Sequence, residues 1–473
     1  MAGVGPAKPG IRELRARYEA HGQGHVFRFW DRLDEDARRS LEAQARTLDL
    51  PALVRGFHAT QETASTPSLA PPEVEALPEY GGDPARREAA RERGEAMLAD
   101  GRVGVMVVAG GQGSRLGFPG PKGLFPVGPV TGRTLFALQA QKLRALRRRS
   151  GAAIPWYVMT SEATDAETRC AFAAEKSFGL PEDDVFFLRQ GVLPSFDFDG
   201  KLILERPDRI FENPDGHGGA LPALLSSGAL DDMRSRGVTT LFYYQVDNPL
   251  VTLGDPTLLG FHARAGAEMS CKSLRKREPE EKMGVFARVD GHLGVVEYTE
   301  IQPAQRDARD ASGELVYGAG NTAVHAFEVD FIRRVAAEAE VWLPVHASAK
   351  KIPCVGAEGE TRQPDAPNGY KLERFVFDAL RAAETVCVVE ASRDEYAPLK
   401  NAEGSDSPAT ARRALSERYR AWIADAGLGA PAPRAALEID ESRIGSAEDL
   451  RALSLRHPSD APDLILTAPG DDV

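Results

Sequence analysis

The stretch Val105–Gly123, VMVVAGGQGSRLGFPGPKG, constrains this chain more than any other part of it. The apolar run Val105–Val108 predicts a buried strand. It runs straight into Gly110, Gly111 and Gly113, then Arg115, then Lys122. Glycines let a backbone come close to a bulky group and turn its N–H groups outward. A guanidinium and an ammonium close behind suit phosphate oxygens. A strand feeding a glycine-rich turn is how an α/β fold holds a nucleotide at the carboxyl edge of its sheet. A P-loop is excluded, because no Gly-Lys-Ser/Thr follows the last glycine. A dinucleotide fingerprint fits poorly. Leu116 stands where its third glycine should fall, and Pro119 and Pro121 interrupt any immediate helix. A helix is predicted only after Thr134, with Phe136, Ala140 and Leu143 on one face.

At 473 residues the chain can bury a large core, and two or three domains are expected. Residues 11–57 read as helical, with Trp30 as a core anchor. Thr66–Pro84 carries five prolines and reads as an extended connector, after which Asp83-Pro84 caps a new helix. From Val103 onward strands alternate with helices. They are predicted at Val103–Val108, Trp156–Met159, Val185–Leu188, Thr240–Val246, Met269–Lys272, Val285–Val289, Val295–Tyr298, Thr322–Phe327 and Val386–Val389. The alternation predicts an α/β fold, a Rossmann-like mixed sheet with helices on both faces. Asp290-Gly291 predicts a hairpin between two of the strands. The expected division is a helical N-terminal region and connector at 1–95, a main domain at 96–390 and a small C-terminal domain at 391–473.

The net charge of −12 argues against a nucleic-acid binder but leaves a nucleotide substrate open, if a few cations converge on one cleft. No run approaches the roughly 18 apolar residues of a membrane span, and no apolar leader opens the chain. Cys170, Cys271, Cys354 and Cys387 are widely spaced, without C-x-x-C, and read as reduced thiols in a cytoplasmic protein.

The longer motif AGGQGSRLGFPGPKG resembles that of the eukaryotic-type UDP-N-acetylhexosamine (UDP-N-acetylglucosamine) pyrophosphorylases, within the sugar-1-phosphate nucleotidyltransferases. Further blocks are similar in the same order: QGVLPSFDFDGKLILE, PDGHGGAL, YYQVDNPLV, GVFARVDGHLGVVEYTE, GAGNTAVHAF, AKKIP, NGYKLERFVFDAL and EYAPLKNAEGSDSPATAR. The resemblance runs from about Gly101 to Arg412. It implies a GT-A-like nucleotidyltransferase fold. It also implies a Mg²⁺-dependent reaction of UTP with a sugar 1-phosphate, giving a UDP-sugar and pyrophosphate. By the same resemblance Arg115, Lys122 and Lys400 act on the phosphates. Ala109, Gly110, Gly111, Gly113, Gln190 and Gly218 bind the nucleotide, the last two at the uracil. Gly284, Glu297, Asn321, Lys371 and Phe375 surround the sugar, and Asp247 holds the metal. A monomer or homodimer is expected, with no nucleic-acid or membrane partner.

The residues alone support part of this. Asp247 follows an apolar run, so it falls at a strand's carboxyl end, where α/β folds bind ligands. Gln190 has an amide that can both donate to and accept from a pyrimidine edge. No Ser-His-Asp or Cys-His arrangement presents itself, and His217 and His325 are left without a role. The chain also departs from the family pattern. His217 replaces the usual asparagine, and Leu221-Pro222 stands where Tyr-Arg is usual. Gly216-His217-Gly218 resembles instead the UDP-glucose and broad UDP-sugar pyrophosphorylases. Val246-Asp247-Asn248 and Gly320-Asn321 pull back toward the N-acetylhexosamine type, so the expected product is UDP-N-acetylglucosamine or UDP-N-acetylgalactosamine. The alternatives are a UDP-glucose or broad UDP-sugar pyrophosphorylase and a catalytically silent nucleotide-sugar sensor on the same fold.

Overall fold

The computed structural model describes residues 10–61, 67–429, 435–455, 457–462 and 465–468. Its contacts divide the chain into two units. One comprises Met1–Pro67, Gly191–Ala220 and Glu338–Ala379, and the other Ser68–Gln190, Leu221–Ala337 and Leu380–Val473. Both are assembled from separated stretches of the chain. The reason is long-range pairing that local periodicity does not reveal.

The larger unit is built on a ten-stranded mixed sheet. Its strands are β1 (Leu69–Ala70), β2 (Val103–Val108), β3 (Trp156–Thr160), β4 (Val185–Arg189) and β5 (Thr240–Gln245), then β6 (Met269–Arg275), β7 (Val285–Val289), β8 (His292–Val296), β9 (Ala319–Glu328) and β10 (Val386–Glu390). β4, β3, β2 and β5 lie side by side and parallel. The chain thus walks outward from β2 to β4, then returns to the other side of β2. That reversal is the topological switch point at which open α/β sheets bind ligands. Val103, Val105, Met106 and Val107 are fully buried. Successive strand residues face opposite ways, so both faces of β2 are covered.

Beyond β5 the sheet turns antiparallel. β9 pairs β5 on one edge and β6 on the other, and β10 extends the sheet parallel to β6. The hairpin β7–β8 turns at Asp290 and Gly291, whose φ values of +49° and +87° belong to a two-residue I′ turn. This tight turn starts β8 at His292, so the strand expected at Val295–Tyr298 lies earlier, and Glu297 falls just beyond its end. The proline-rich connector is extended up to Leu77 and then makes a 3₁₀ turn at Pro78–Tyr80; its first residue, Thr66, lies outside the described residues. Leu69 and Ala70 pair with β7, while the Glu75 N–H donates to the Val388 carbonyl.

Helix Leu135–Ser150 is capped by Thr134, and helix Pro84–Ala99 by Asp83, as their sequences predict. Residues after Ala391 share the core of the sheet. Leu399, Leu415, Tyr419, Ile423 and Leu437 are buried with Phe136, Tyr244 and Leu250. The smaller unit packs three helices, Ile11–Ala20, Glu35–Thr47 and Leu50–Gln61, with a three-stranded antiparallel sheet. Phe57 stacks on Phe196 at 4.7 Å, and Trp30 is half-buried against the same core. The helical stretch 11–57 is thus several helices with 3₁₀ turns at Gly24–Phe27 and Trp30–Arg32 between them.

Candidate active site

The glycine-rich loop leaves β2 at the switch point. The Ala109 N–H donates to the Met159 carbonyl at 2.8 Å, so Ala109 is tied into the sheet and buried. Gly110 follows in a place where no side chain fits. A Cβ there would lie 2.3 Å from Gln190 Oε1 and 3.4 Å from Ser161 Cβ. The Ser161 hydroxyl donates to the Gly110 carbonyl at 2.7 Å, and the Gln190 N–H donates to the Thr160 carbonyl. Gln190 therefore sits at the end of β4 with its amide against bare backbone. Gly111 and Gln112 are exposed. The loop then folds back on itself, the Lys122 N–H donating to the Gly111 carbonyl and the Gly113 N–H to the Gly120 carbonyl. Arg115 lies in the short 3₁₀ turn Ser114–Leu116 at the tip, exposed and without an ion pair among the described residues. A guanidinium held out beside a glycine loop is available to an anion.

Asp247 lies across the switch point, two residues past β5. Lys122 Nζ is 3.5 Å from Asp247 Oδ2 and donates to the Leu399 carbonyl at 3.3 Å. The Leu399 N–H in turn donates to the Asp247 carbonyl at 2.9 Å. Lys400 comes next, its Nζ donating to the Tyr396 hydroxyl at 3.3 Å. Burial opposes its charge, yet Tyr396, Asp247 and Asp406 together hold the ammonium above the ordinary lysine range. The fold thus brings together the loop carrying Lys122, the strand end carrying Asp247 and the segment carrying Lys400, from three distant stretches of sequence.

Gly284, Glu297 and Asn321 also meet. The Asn321 N–H donates to the Gly284 carbonyl at 2.8 Å, and a Cβ on Gly284 would stand 3.1 Å from Glu297 Oε1. Asn321 Oδ1 accepts from the N–H of Ala323, whose φ is +57°. That oxygen keeps a second lone pair, so the side chain can still both accept and donate.

Gly218, Lys371 and Phe375 belong to the smaller unit. A Cβ on Gly218 would stand 2.7 Å from backbone atoms of Arg374 and Phe375, so that glycine is required by the protein's own packing. His217 stacks on Phe375 at 5.3 Å, and its Nδ1 accepts from the Val376 N–H at 3.1 Å. Burial, then the nearby His346, lowers its pKa to about 4, so it is neutral near pH 7. Lys371 Nζ lies over the Phe211 ring at 5.1 Å, and burial lowers its pKa. His325 is buried in the larger unit, its Nδ1 3.2 Å from Cys271 Sγ. Asp215, to which the sequence assigns no role, is buried beside Gly191 and Gly219. Burial raises its pKa to about 6, against the opposing pull of Arg374.

Among the described residues no three His, Cys, Asp or Glu side chains cluster to hold a metal. A single hard carboxylate such as Asp247 still fits Mg²⁺, which takes most of its ligands from water and substrate phosphates. No helix among the described residues is long and apolar enough to cross a membrane.

Comparison with known proteins agrees with this architecture. The family model of UTP–glucose-1-phosphate uridylyltransferase matches residues 57–420. The UDP-N-acetylhexosamine pyrophosphorylase-like protein 1 of Homo sapiens is 40% identical over 435 residues, covering 88% of this chain and 86% of that protein. The UDP-N-acetylglucosamine diphosphorylase 1 of Arabidopsis thaliana is 36% identical over 436 residues, covering 88% of this chain and 84% of that one. Among solved structures, the UDP-N-acetylglucosamine pyrophosphorylase of Trypanosoma brucei in complex with an inhibitor superposes with a TM-score of 0.81. It is 26% identical, covering 95% of this chain and 96% of that one.

Proposed function

The chain belongs to the UTP–glucose-1-phosphate uridylyltransferase family, and from that premise we propose that it transfers uridylyl from UTP to an N-acetylhexosamine 1-phosphate, N-acetylglucosamine 1-phosphate first. The observation that carries this reading is the meeting of Lys122, Asp247 and the Lys400 segment at the switch point, beside the Gly110–Gln190 contact. The sugar class rests on the relatives named for N-acetylated sugars. A sugar 1-phosphate oxygen attacks the α-phosphorus of UTP, and pyrophosphate leaves. Two polyanions must meet while charge builds on the leaving group, so catalysis is positioning and neutralisation. The attacking oxygen is already ionised and needs no base.

In this reading Gly110 seats the Gln190 amide against the uracil, and Gly111 and Gly113 carry backbone to the phosphates. Arg115 grips the outer phosphates, and Lys122 and Lys400 neutralise charge near the reacting phosphorus. Asp247 would hold Mg²⁺, which when bound adds further charge neutralisation at the phosphates. Gly284, Glu297 and Asn321 would meet the sugar, Glu297 accepting from hydroxyls and Asn321 able both to donate and to accept. Gly218, Lys371 and Phe375 keep their ligand roles on the resemblance alone. We place the protein in the cytoplasm, as a monomer or homodimer. The test is pyrophosphate release from UTP and Mg²⁺ with the 1-phosphates of N-acetylglucosamine, N-acetylgalactosamine, glucose and galactose. Release with the N-acetylated pair supports the reading. Release with glucose alone moves the protein to the neighbouring sugar class, and no release removes the enzymatic reading.

A further inference from the structure

Asn248 follows Asp247 directly and is 6% exposed. Its side chain uses both ends of the amide on one neighbouring segment. Nδ2 donates to the Glu395 carbonyl at 2.8 Å, and Oδ1 accepts from the Ala397 N–H at 3.1 Å. The same oxygen accepts from the Leu250 N–H at 3.2 Å, which closes the turn after β5. One side chain thus serves the strap Asp394–Lys400 as a neighbouring strand would, taking a carbonyl and an N–H two residues apart. Aspartate could not donate, and an apolar residue could do neither.

Other groups hold the same strap. Lys272, 3% exposed, sends its ammonium to Glu395 Oε2 at 2.5 Å and Asp255 Oδ2 at 2.7 Å. Arg418 donates to the Asp394 carbonyl at 2.8 Å. The Leu399 N–H reaches the Asp247 carbonyl. Only then does the chain release Lys400, whose N–H donates to the Asp406 carbonyl at 2.7 Å. The lysine stands at the end of a strap clamped to the peptide that carries Asp247.

We propose that Asn248, supported by Lys272, is a positioning residue that fixes the Glu395–Lys400 strap so that the Lys400 ammonium stands opposite Asp247. The proposal rests on the reading that Lys400 acts on the substrate phosphates. It makes the strap a fixed part of the site.

The experiment is a double-mutant cycle on the full chain with Asn248→Ala, Lys400→Ala and the pair, reading kcat and both KM values. A misplacement of about 1 Å in a reacting group can cost on the order of 100-fold, so Asn248→Ala should lower kcat by about 10-fold to 100-fold. Both KM values should stay within about threefold, because the loss falls on the chemical step. In the Lys400→Ala background the same substitution should cost less than about threefold, since there is no ammonium left to aim. A purely structural role would give losses that multiply, and that result overturns the proposal. If Lys400→Ala alone turns over like the wild type, the reading of Lys400 fails and takes the proposal with it, which distinguishes the two failures. Should Asn248→Ala not fold, Asn248→Ser, whose hydroxyl can serve one of the two partners, completes the cycle with the same expected non-additivity.

Discussion

Gly110→Ala tests the nucleotide half of the site most sharply. The new Cβ would stand 2.3 Å from Gln190 Oε1 and 3.0 Å from its Cδ. No real Cβ tolerates such contacts, so something must move. The obstructing atoms are the far end of a flexible side chain, and the amide will swing aside while the backbone stays. Folding should suffer by less than about 1 kcal/mol, as for substitutions that open no cavity and bury no unpaired group. Binding should suffer more. If the amide makes two hydrogen bonds to uracil, each worth about 0.5–1.5 kcal/mol, the loss is about 1–3 kcal/mol. That is a fall of about 5-fold to 150-fold in kcat/KM for UTP. The substitution should also narrow the preference for UTP over CTP, because the group reading the pyrimidine edge has left. The assay is steady-state pyrophosphate release with each nucleotide, beside a thermal melt. An unchanged kcat/KM for UTP with an unchanged UTP/CTP ratio would refute the placement of Gln190 at the base. A collapse of the melt would show that Gly110 serves packing alone.

Arg115→Ala should lower kcat by about 100-fold to 1000-fold, the usual cost of removing one donor to developing charge, and Lys122→Ala should do the same. Arg115 is exposed and makes no ion pair among the described residues, so the melting temperature of Arg115→Ala should not move; near-normal turnover in either variant would remove that residue from the chemistry. Asp247→Asn should raise the Mg²⁺ concentration for half-maximal rate by more than about 10-fold, the lower end for disturbing even a supporting contact, and an unchanged titration would take Asp247 out of the metal site. Asp215 carries a pH dependence of stability. Its folded pKa is about 6 against 3.8, so the fold prefers the neutral acid, and stability falls as pH rises from about 4 to about 6. At about 1.4 kcal/mol per pH unit the full cost above that window is about 3 kcal/mol. Asp215→Asn should flatten this slope in denaturant melts, and an unaltered slope would mean that the carboxylate is not held in its neutral form.

What the sequence showed follows from locality. β2 was legible to the residue because Val103–Val108 is an unbroken apolar run, as a strand covered on both faces must be. Asp83-Pro84 and Thr134 marked helix starts because capping is decided within a few residues. The expected end of β6 at Lys272 was too early. The strand runs on to Arg275, because Ser273, Leu274 and Arg275 pair with Asn321, Gly320 and Ala319 of β9, which are distant in sequence. The placing of β9 between β5 and β6, with Ala323 in a left-handed conformation, likewise depends on partners that periodicity does not name.

In the candidate site, glycine, lysine and aspartate stood out by type and by position after a strand. Gly218 shows the weakness of that signal, since its bare Cα is filled by the Arg374–Phe375 backbone. Asn248 lay inside the block YYQVDNPLV, yet its spacing reveals no structural role for its side chain. Its two-sided hold on the strap exists only once residues 395–397 have folded beside it.

Uridylyl transfer to an N-acetylated sugar phosphate stands or falls on one ratio. It is kcat/KM for N-acetylglucosamine 1-phosphate over that for glucose 1-phosphate, at saturating UTP and Mg²⁺. The expected ratio is well above one. A ratio below one would contradict the assigned sugar and make Gly216-His217-Gly218 the better guide to this protein.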